Sequence, residues 1–146
     1  KNMANVIPDS FKTDLLKGTF NFDSSGGSTF KLALYTDISG LTTSTTAFTA
    51  TNEVSTSGTS YSSGGNTLTN NGVAVSSNIA FVDFADLTFS SVTLSAVGAL
   101  IYKSGGSNEA VLVLDFGGTK TATNGDFVVQ FPTASNSAAI IRLGNA

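Results

Sequence analysis

The closest acidic pair in the sequence is Asp83 and Asp86, set three residues apart among the apolar neighbours of Val82–Leu87. Two carboxylates divide the roles of general acid and base when their surroundings drive their pKa values apart. In an extended chain, residues at this spacing point to opposite faces, so Asp83 and Asp86 converge only across a bend. A corner between two strands, with both acids solvated, fits the local pattern better. A calcium loop needs Asp or Asn at alternate positions followed by Glu, and no run meets that spacing. Gly117-Gly118-Thr119-Lys120 ends like a phosphate-binding loop, but it lacks the spacing between its glycines and the helix that should follow. Its flanks read as strands, so it is expected to be a hairpin turn, with Asp115 capping it.

Composition narrows the chemistry further. The 146 residues contain no His, Cys or Trp, which excludes Ser-His-Asp triads, thiolate nucleophiles, disulfides and His- or Cys-based zinc sites. No catalytic residue, metal site or cofactor is expected. A polysaccharide-cleaving enzyme would need a carboxylate pair, and only Asp83 with Asp86 is available nearby in sequence. Charged residues make up 12% of the chain, against about 25% in an average domain, and Ser and Thr, twenty of each, fill the gap. The net charge is −3, with no positive charge from Leu32 to Tyr102. Nucleic-acid binding is therefore not expected, since it needs Lys and Arg to neutralise phosphates. Lys12, Lys17 and Lys31 alternate with Asp9, Asp14 and Asp23, which reads as a solvated helix face. No apolar run approaches the ~20 residues of a membrane span, so no membrane partner is expected. No leader-like apolar stretch follows Lys1, and Met3-Ala4 reads as a native start. Of the aromatic residues that could stack on a sugar, Tyr35, Tyr61 and Tyr102, the last lies in an apolar run and reads as core. Tyr61, beside Ser62-Ser63-Gly64-Gly65, reads as the exposed one.

The elements that position these residues are mostly strands. Phe30–Tyr35 alternates, with Phe30, Leu32 and Leu34 on one face, and reads as half-buried. Further runs lie at 67–75, 79–84, 87–89, 92–97, 99–103, 110–116, 126–131 and 139–143. Gly26-Gly27, Gly64-Gly65, Asn71-Gly72, Gly105-Gly106, Gly117-Gly118 and Asn124-Gly125 supply turn signals between them. Gly98–Tyr102 and Ala110–Phe116 are almost continuously apolar, as in central strands covered on both faces. Eleven Phe residues, Phe81, Phe84, Phe89, Phe116, Phe127 and Phe131 among them, serve as core filler in place of Trp. One short helix is predicted, capped by Asp9 or Ser10, with Phe11 and Leu15 on one face and Gly18 ending it. Ser39–Tyr61 is a long polar stretch, functional or mobile, part of which could pair as a sheet edge. Together these give one all-β domain over residues 1–146, an antiparallel β-sandwich or jelly-roll-like barrel of about eight to ten strands. Residues 1–18 form its N-terminal arm and short helix.

Met3–Ile7, Ser10–Phe20, Asn21–Asp23, Phe30–Thr36, Thr51–Ser55, Tyr61–Gly65, Gly98–Lys103, Leu114–Gly117 and Gly125–Gln130 together resemble, in order, small structural proteins of tailed bacteriophages, of the capsid decoration (cement) or head-fibre type. The chain departs from that group at Phe89 and Phe131, where Trp is often found, and at Pro8. The resemblance implies a non-enzymatic virion component on the outer capsid surface, whose partner is the major capsid protein of the same virus. It implies a homo-oligomer, with a trimer favoured by capsid three-fold positions. It carries over no catalytic residue. The expected contacts are Phe11, Leu15 and Leu16 of the arm docked on a neighbour, with polar contacts from Ser39–Tyr61. The alternative for the three arm residues is packing on their own sheet. Other readings of the whole chain are a neck, tail or fibre subunit, and a carbohydrate-binding adhesion module using Tyr61.

Overall fold

The structure is a computed structural model that describes residues 5–145; Lys1–Ala4, and with them the Met3-Ala4 start, lie outside the described residues. The order of elements is α1 (Asp9–Leu16), β1 (Phe30–Tyr35), β2 (Asn66–Thr67), β3 (Asn70–Ser76), β4 (Ile79–Phe84), β5 (Leu87–Lys103), β6 (Ala110–Val129) and β7 (Ile141–Leu143). The strands form two antiparallel sheets, ordered β2-β1-β5-β6 and β3-β4-β7. The fold is all-β and sandwich-like, with one short helix. Its accessible surface of 7408 Å² is close to the roughly 7,000 Å² that surface scaling gives for a chain of this size.

One face of the larger sheet (Phe30, Leu32, Leu34, Ile101, Leu112, Leu114) packs on Val82, Phe84 and Ile141 of the smaller sheet. Aromatic rings fill the end of this core. Phe22 stacks on Phe30 with centroids 4.6 Å apart, and Phe84 meets Phe30 edge-on at 5.7 Å. The opposite face of the larger sheet has a second core, in which Ala33, Tyr35, Leu100, Tyr102 and Val113 lie with Leu41, Ile38 and Phe48. The central character of Gly98–Tyr102 and Ala110–Leu114 is therefore found as expected, with the apolar positions of both runs buried. The half-buried reading of β1 is corrected, because Ala33 and Tyr35 are as fully buried as Leu32 and Leu34. The chain between β1 and β2 lies over that face.

Seven strands are found among the described residues, fewer than the eight to ten expected, because several turn signals lie inside strands. The runs at 87–89, 92–97 and 99–103 join as β5, and most of 110–116 and 126–131 joins as β6. Gly117-Gly118 is not a hairpin turn. Residues 116–119 face Val97 alone, and the ladder resumes at Lys120 opposite Ala96. Their positive φ angles, 76° and 151°, build a bulge that bends the strand. Asn124 (φ 48°) does the same opposite Thr93, and Asn71-Gly72 marks a register shift within β3. The tight turn between β3 and β4 is instead Ser77-Asn78, with φ of 51° and 67°, the geometry of a two-residue hairpin loop.

Helix α1 starts differently from the expectation. Pro8 is the N-cap and contributes no side-chain cap. The Asp9 N–H bonds Thr43 O (2.9 Å), and Ser10 Oγ donates to Thr45 O (3.1 Å), so the helix start is held by the long polar segment. Gly18 ends it as expected: Gly18 N–H bonds Leu15 O and Thr19 N–H bonds Asp14 O, a Schellman closure with φ +80° at Gly18.

Candidate functional site

The densest set of polar contacts in the structure centres on Glu53. Its Oε2 accepts from Tyr61 Oη (2.7 Å) and Gly64 N–H (2.6 Å), and its Oε1 accepts from Ser63 Oγ (3.0 Å). Tyr61 Oη in turn accepts from Leu34 N–H at 2.9 Å, and Tyr102 Oη donates to Gly64 O at 2.7 Å. Tyr35 Oη donates to Thr49 O at 2.5 Å. One carboxylate thus gathers the segment 36–65 and ties it to β1 and β5. Hydrogen bonds to an ionised acceptor are about twice as strong as neutral ones.

Backbone bonds extend the attachment. Val54 N–H bonds Leu34 O, Thr36 N–H bonds Asn52 O, Phe48 N–H bonds Asn108 O and Ala110 N–H bonds Thr46 O. Phe48 stacks on Tyr102 with centroids 4.7 Å apart. The Ser39–Tyr61 stretch is therefore a fixed cover that bridges onto both sides of the sheet, at Tyr35–Glu53 and Ala47–Glu109. This bears out the expectation that part of it pairs. Gly64-Gly65 makes the return to β2 possible. Both have positive φ, and a Cβ on Gly65 would lie 1.8 Å from Leu32 O, so only glycine fits.

The tyrosines are held in their neutral form. Burial first, and the neighbouring Glu53 charge as well, push the Tyr35, Tyr61 and Tyr102 phenols above the ordinary value of 10. The Leu34 N–H works against this at Tyr61, and the bond with Thr49 does so at Tyr35. At neutral pH these phenols hold protons and hydrogen bonds rather than titrating.

Among the residues read from sequence as contacts, Tyr61 is corrected: it is 3% exposed, with its ring 5.8 Å from Phe89, so it offers no stacking face. Phe11 is buried against Phe20 and Phe22, and Leu15 is partly buried on the same core. For these two the packing is on their own chain. Leu16 alone stands out, at 86% exposed. Asp83 and Asp86 are engaged separately. Asp83 accepts from Asn71 Nδ2 (2.6 Å) and Asp86 from Phe131 N–H (2.8 Å), on either side of the tight β4–β5 corner. Asp115 accepts from Gly117 N–H at 2.8 Å, capping a bulge rather than a hairpin. Lys12 pairs with Asp9 at 3.0 Å on the exposed helix face.

Glu53 was not singled out in the sequence, although it is the only charge between Asp37 and Asp83. A lone acid in so long an uncharged stretch is a signal that it has a specific partner.

A groove of about 400 Å³ opens beside the second half of β6. Phe116, Phe131, Pro132 and Ile140 form its apolar walls, and Lys120 and Asp126 stand at it as well. Among the described residues no group of three or more acidic side chains is placed to hold a metal ion, and no helix is long and apolar enough to cross a membrane. Compared with protein-family models, curated proteins and solved structures, the chain matches none.

Proposed function

We propose that this chain is a non-enzymatic virion structural protein, a decoration or cement protein that binds the outer surface of a tailed-phage capsid and stabilises it. The observation that carries the reading is the ordered run of residues, from Met3 to Gln130, that resembles small structural proteins of such phages. The use of the polar side chains supports it: Glu53 and the three tyrosines are spent on fixing a cover over a sheet. The partner in this reading is the major capsid protein of the same virus. Stabilisation comes from binding free energy alone, since a component that binds only the assembled shell shifts the equilibrium toward it. A homotrimer at three-fold lattice positions is the arrangement we favour. With Phe11 and Leu15 packed internally, Leu16 is the arm residue left to touch a neighbour.

The test is the number of copies per purified particle relative to the major capsid protein, together with rebinding of the purified chain to particles that lack it. Hundreds of copies and saturable rebinding are expected. A handful of copies moves the chain to the neck, tail or a fibre, and absence from particles overturns the virion reading. The groove beside β6 favours a second reading, adhesion to glycans, because rings with polar groups at the margin are what a sugar site uses. A glycan array comparing the protein with its Phe116→Ala variant tests that reading.

A further inference from the structure

We propose that β3 is a self-association edge: two copies of this chain pair β3 to β3, antiparallel, about a two-fold axis at Ala74. The inference goes beyond the capsid reading and does not depend on it.

The argument starts from the β3–β4 hairpin. Its loop is Ser77-Asn78, so Ser76 and Ile79 form the hydrogen-bonded pair that closes it, and pairs alternate from there. Ala74 opposite Phe81 is the next bonded pair. Val75 opposite Ala80 and Val73 opposite Val82 are the non-bonded ones. Val73 and Val75 therefore turn both their N–H and C=O groups away from β4. β3 is the end strand of its sheet, and no described segment pairs with that side.

The side chains of the same two residues are also unpartnered, Val73 being 54% and Val75 72% exposed. Directly opposed residues share a face, so both valines lie on the face of Val82 and Ile141, which are buried in the core. Leu143, 61% exposed, lies on it too. The small sheet thus carries its inner, apolar face past the end of the core.

Free edges in monomeric proteins are blunted by charge, proline or bulges. The outer edge of the second half of β6, a segment paired only with β5, follows this rule, carrying Lys120, Asp126 and the bulges at 116–119 and 123–124. β3 has its irregularity at Asn70–Gly72 and nothing beyond it. The sequence from Val54 to Val82 has no charge at all. A charged strand docked here would meet no counter-charge on β3 itself, whereas a second β3 brings no charge to repel or to leave unhydrated. The register is self-complementary. Centred on Ala74, Val73 of one copy faces Val75 of the other, which brings the outward amides into bonded pairs and sets valine against valine on the shared face. The two Ala74 residues then form a non-bonded pair with Cα atoms about 4.5 Å apart.

That distance lies within the roughly 4.4–6.8 Å that a disulfide spans, and the chain has no native cysteine, so Ala74→Cys reads the register directly. Under mild oxidation, Ala74→Cys is expected to give a covalent dimer well in excess of a Thr119→Cys control. In sedimentation velocity, Val75→Lys and Val75→Pro are expected to weaken wild-type association by about tenfold or more. The proline removes an outward N–H and leaves the β4 ladder intact. Circular dichroism checks that both variants keep the fold. Cross-linking of Ala74→Cys no greater than the control overturns the proposal. So does a wild type that is monomeric throughout the concentration series, or a trimer unchanged by either Val75 variant. An isologous contact closes at two copies, so particle binding can fail with this pairing intact, and the reverse.

Discussion

The two sheets differ in how they are finished. Beside β1, the larger sheet is closed by β2 and by the backbone of 52–54, and the start of β6 is closed by Val6 and by 46–48. Both its faces are buried where the central strands run. The smaller sheet shares only part of one face with the core, and its β3 edge is bare. The cause lies in the connections. The chain between β1 and β2 supplies both Glu53 and its donors Tyr61, Ser63 and Gly64, so it can lock down over a sheet. β3 and β4 are joined by two residues, which leaves no chain to cover their outer side. A long loop of small polar residues is, in this molecule, the more constrained region, and a regular strand is the more available one.

The comparison can be broken at several points. The largest effect is expected for Gly65→Ala. Its Cβ would overlap Leu32 O and the backbone there has φ +76°. A loss of about 4 kcal/mol or more, or failure to fold, should appear in denaturant unfolding. Phe84→Ala removes the ring through which the small sheet meets Phe22, Phe30 and Phe131, and should cost about 3–5 kcal/mol. Glu53→Ala leaves the Gly64 N–H and the Tyr61 hydroxyl without their acceptor. About 2–3 kcal/mol is expected, with faster proteolysis between Asp37 and Gly64. An unchanged cleavage rate would mean that the cover holds without its carboxylate.

Alkaline titration gives a smaller effect. The buried phenols have folded-state pKa values above 10, so their contribution is fully present below pH 10 and is lost as pH rises past it. The melting temperature should fall above pH 10, and the fall should be shallower in Tyr61→Phe than in the wild type. The smallest effect is expected at the exposed end of helix α1: Leu16→Ser should leave monomer stability within about 0.5 kcal/mol.

Much of this contrast was legible in the residues, and some was not. Alternation in Phe30–Tyr35 and the apolar runs at Gly98–Tyr102 and Ala110–Phe116 are enough to give an all-β sandwich with central strands. Turn positions were less legible, because Gly117-Gly118 and Asn124 supply the same positive φ to a bulge as to a hairpin. The true hairpin loop, Ser77-Asn78, contains no glycine to announce it. The burial of Tyr61 depends on Glu53 and Leu34, neither adjacent to it in sequence, and local polarity at Ser62–Gly65 points the wrong way. Phe11 and Leu16 have similar side chains five residues apart in a helix of two turns, and only the docking of that helix separates buried from exposed.

Residue-resolved hydrogen exchange on dilute protein tests the central contrast most directly, since protection tracks local opening. The amides of Phe48, Val54 and Gly64, in an irregular loop, should exchange slowly, whereas those of Val73 and Val75, in a regular strand, should exchange at close to the unprotected rate. Exchange in 46–54 as fast as at Val73 and Val75 would contradict the account.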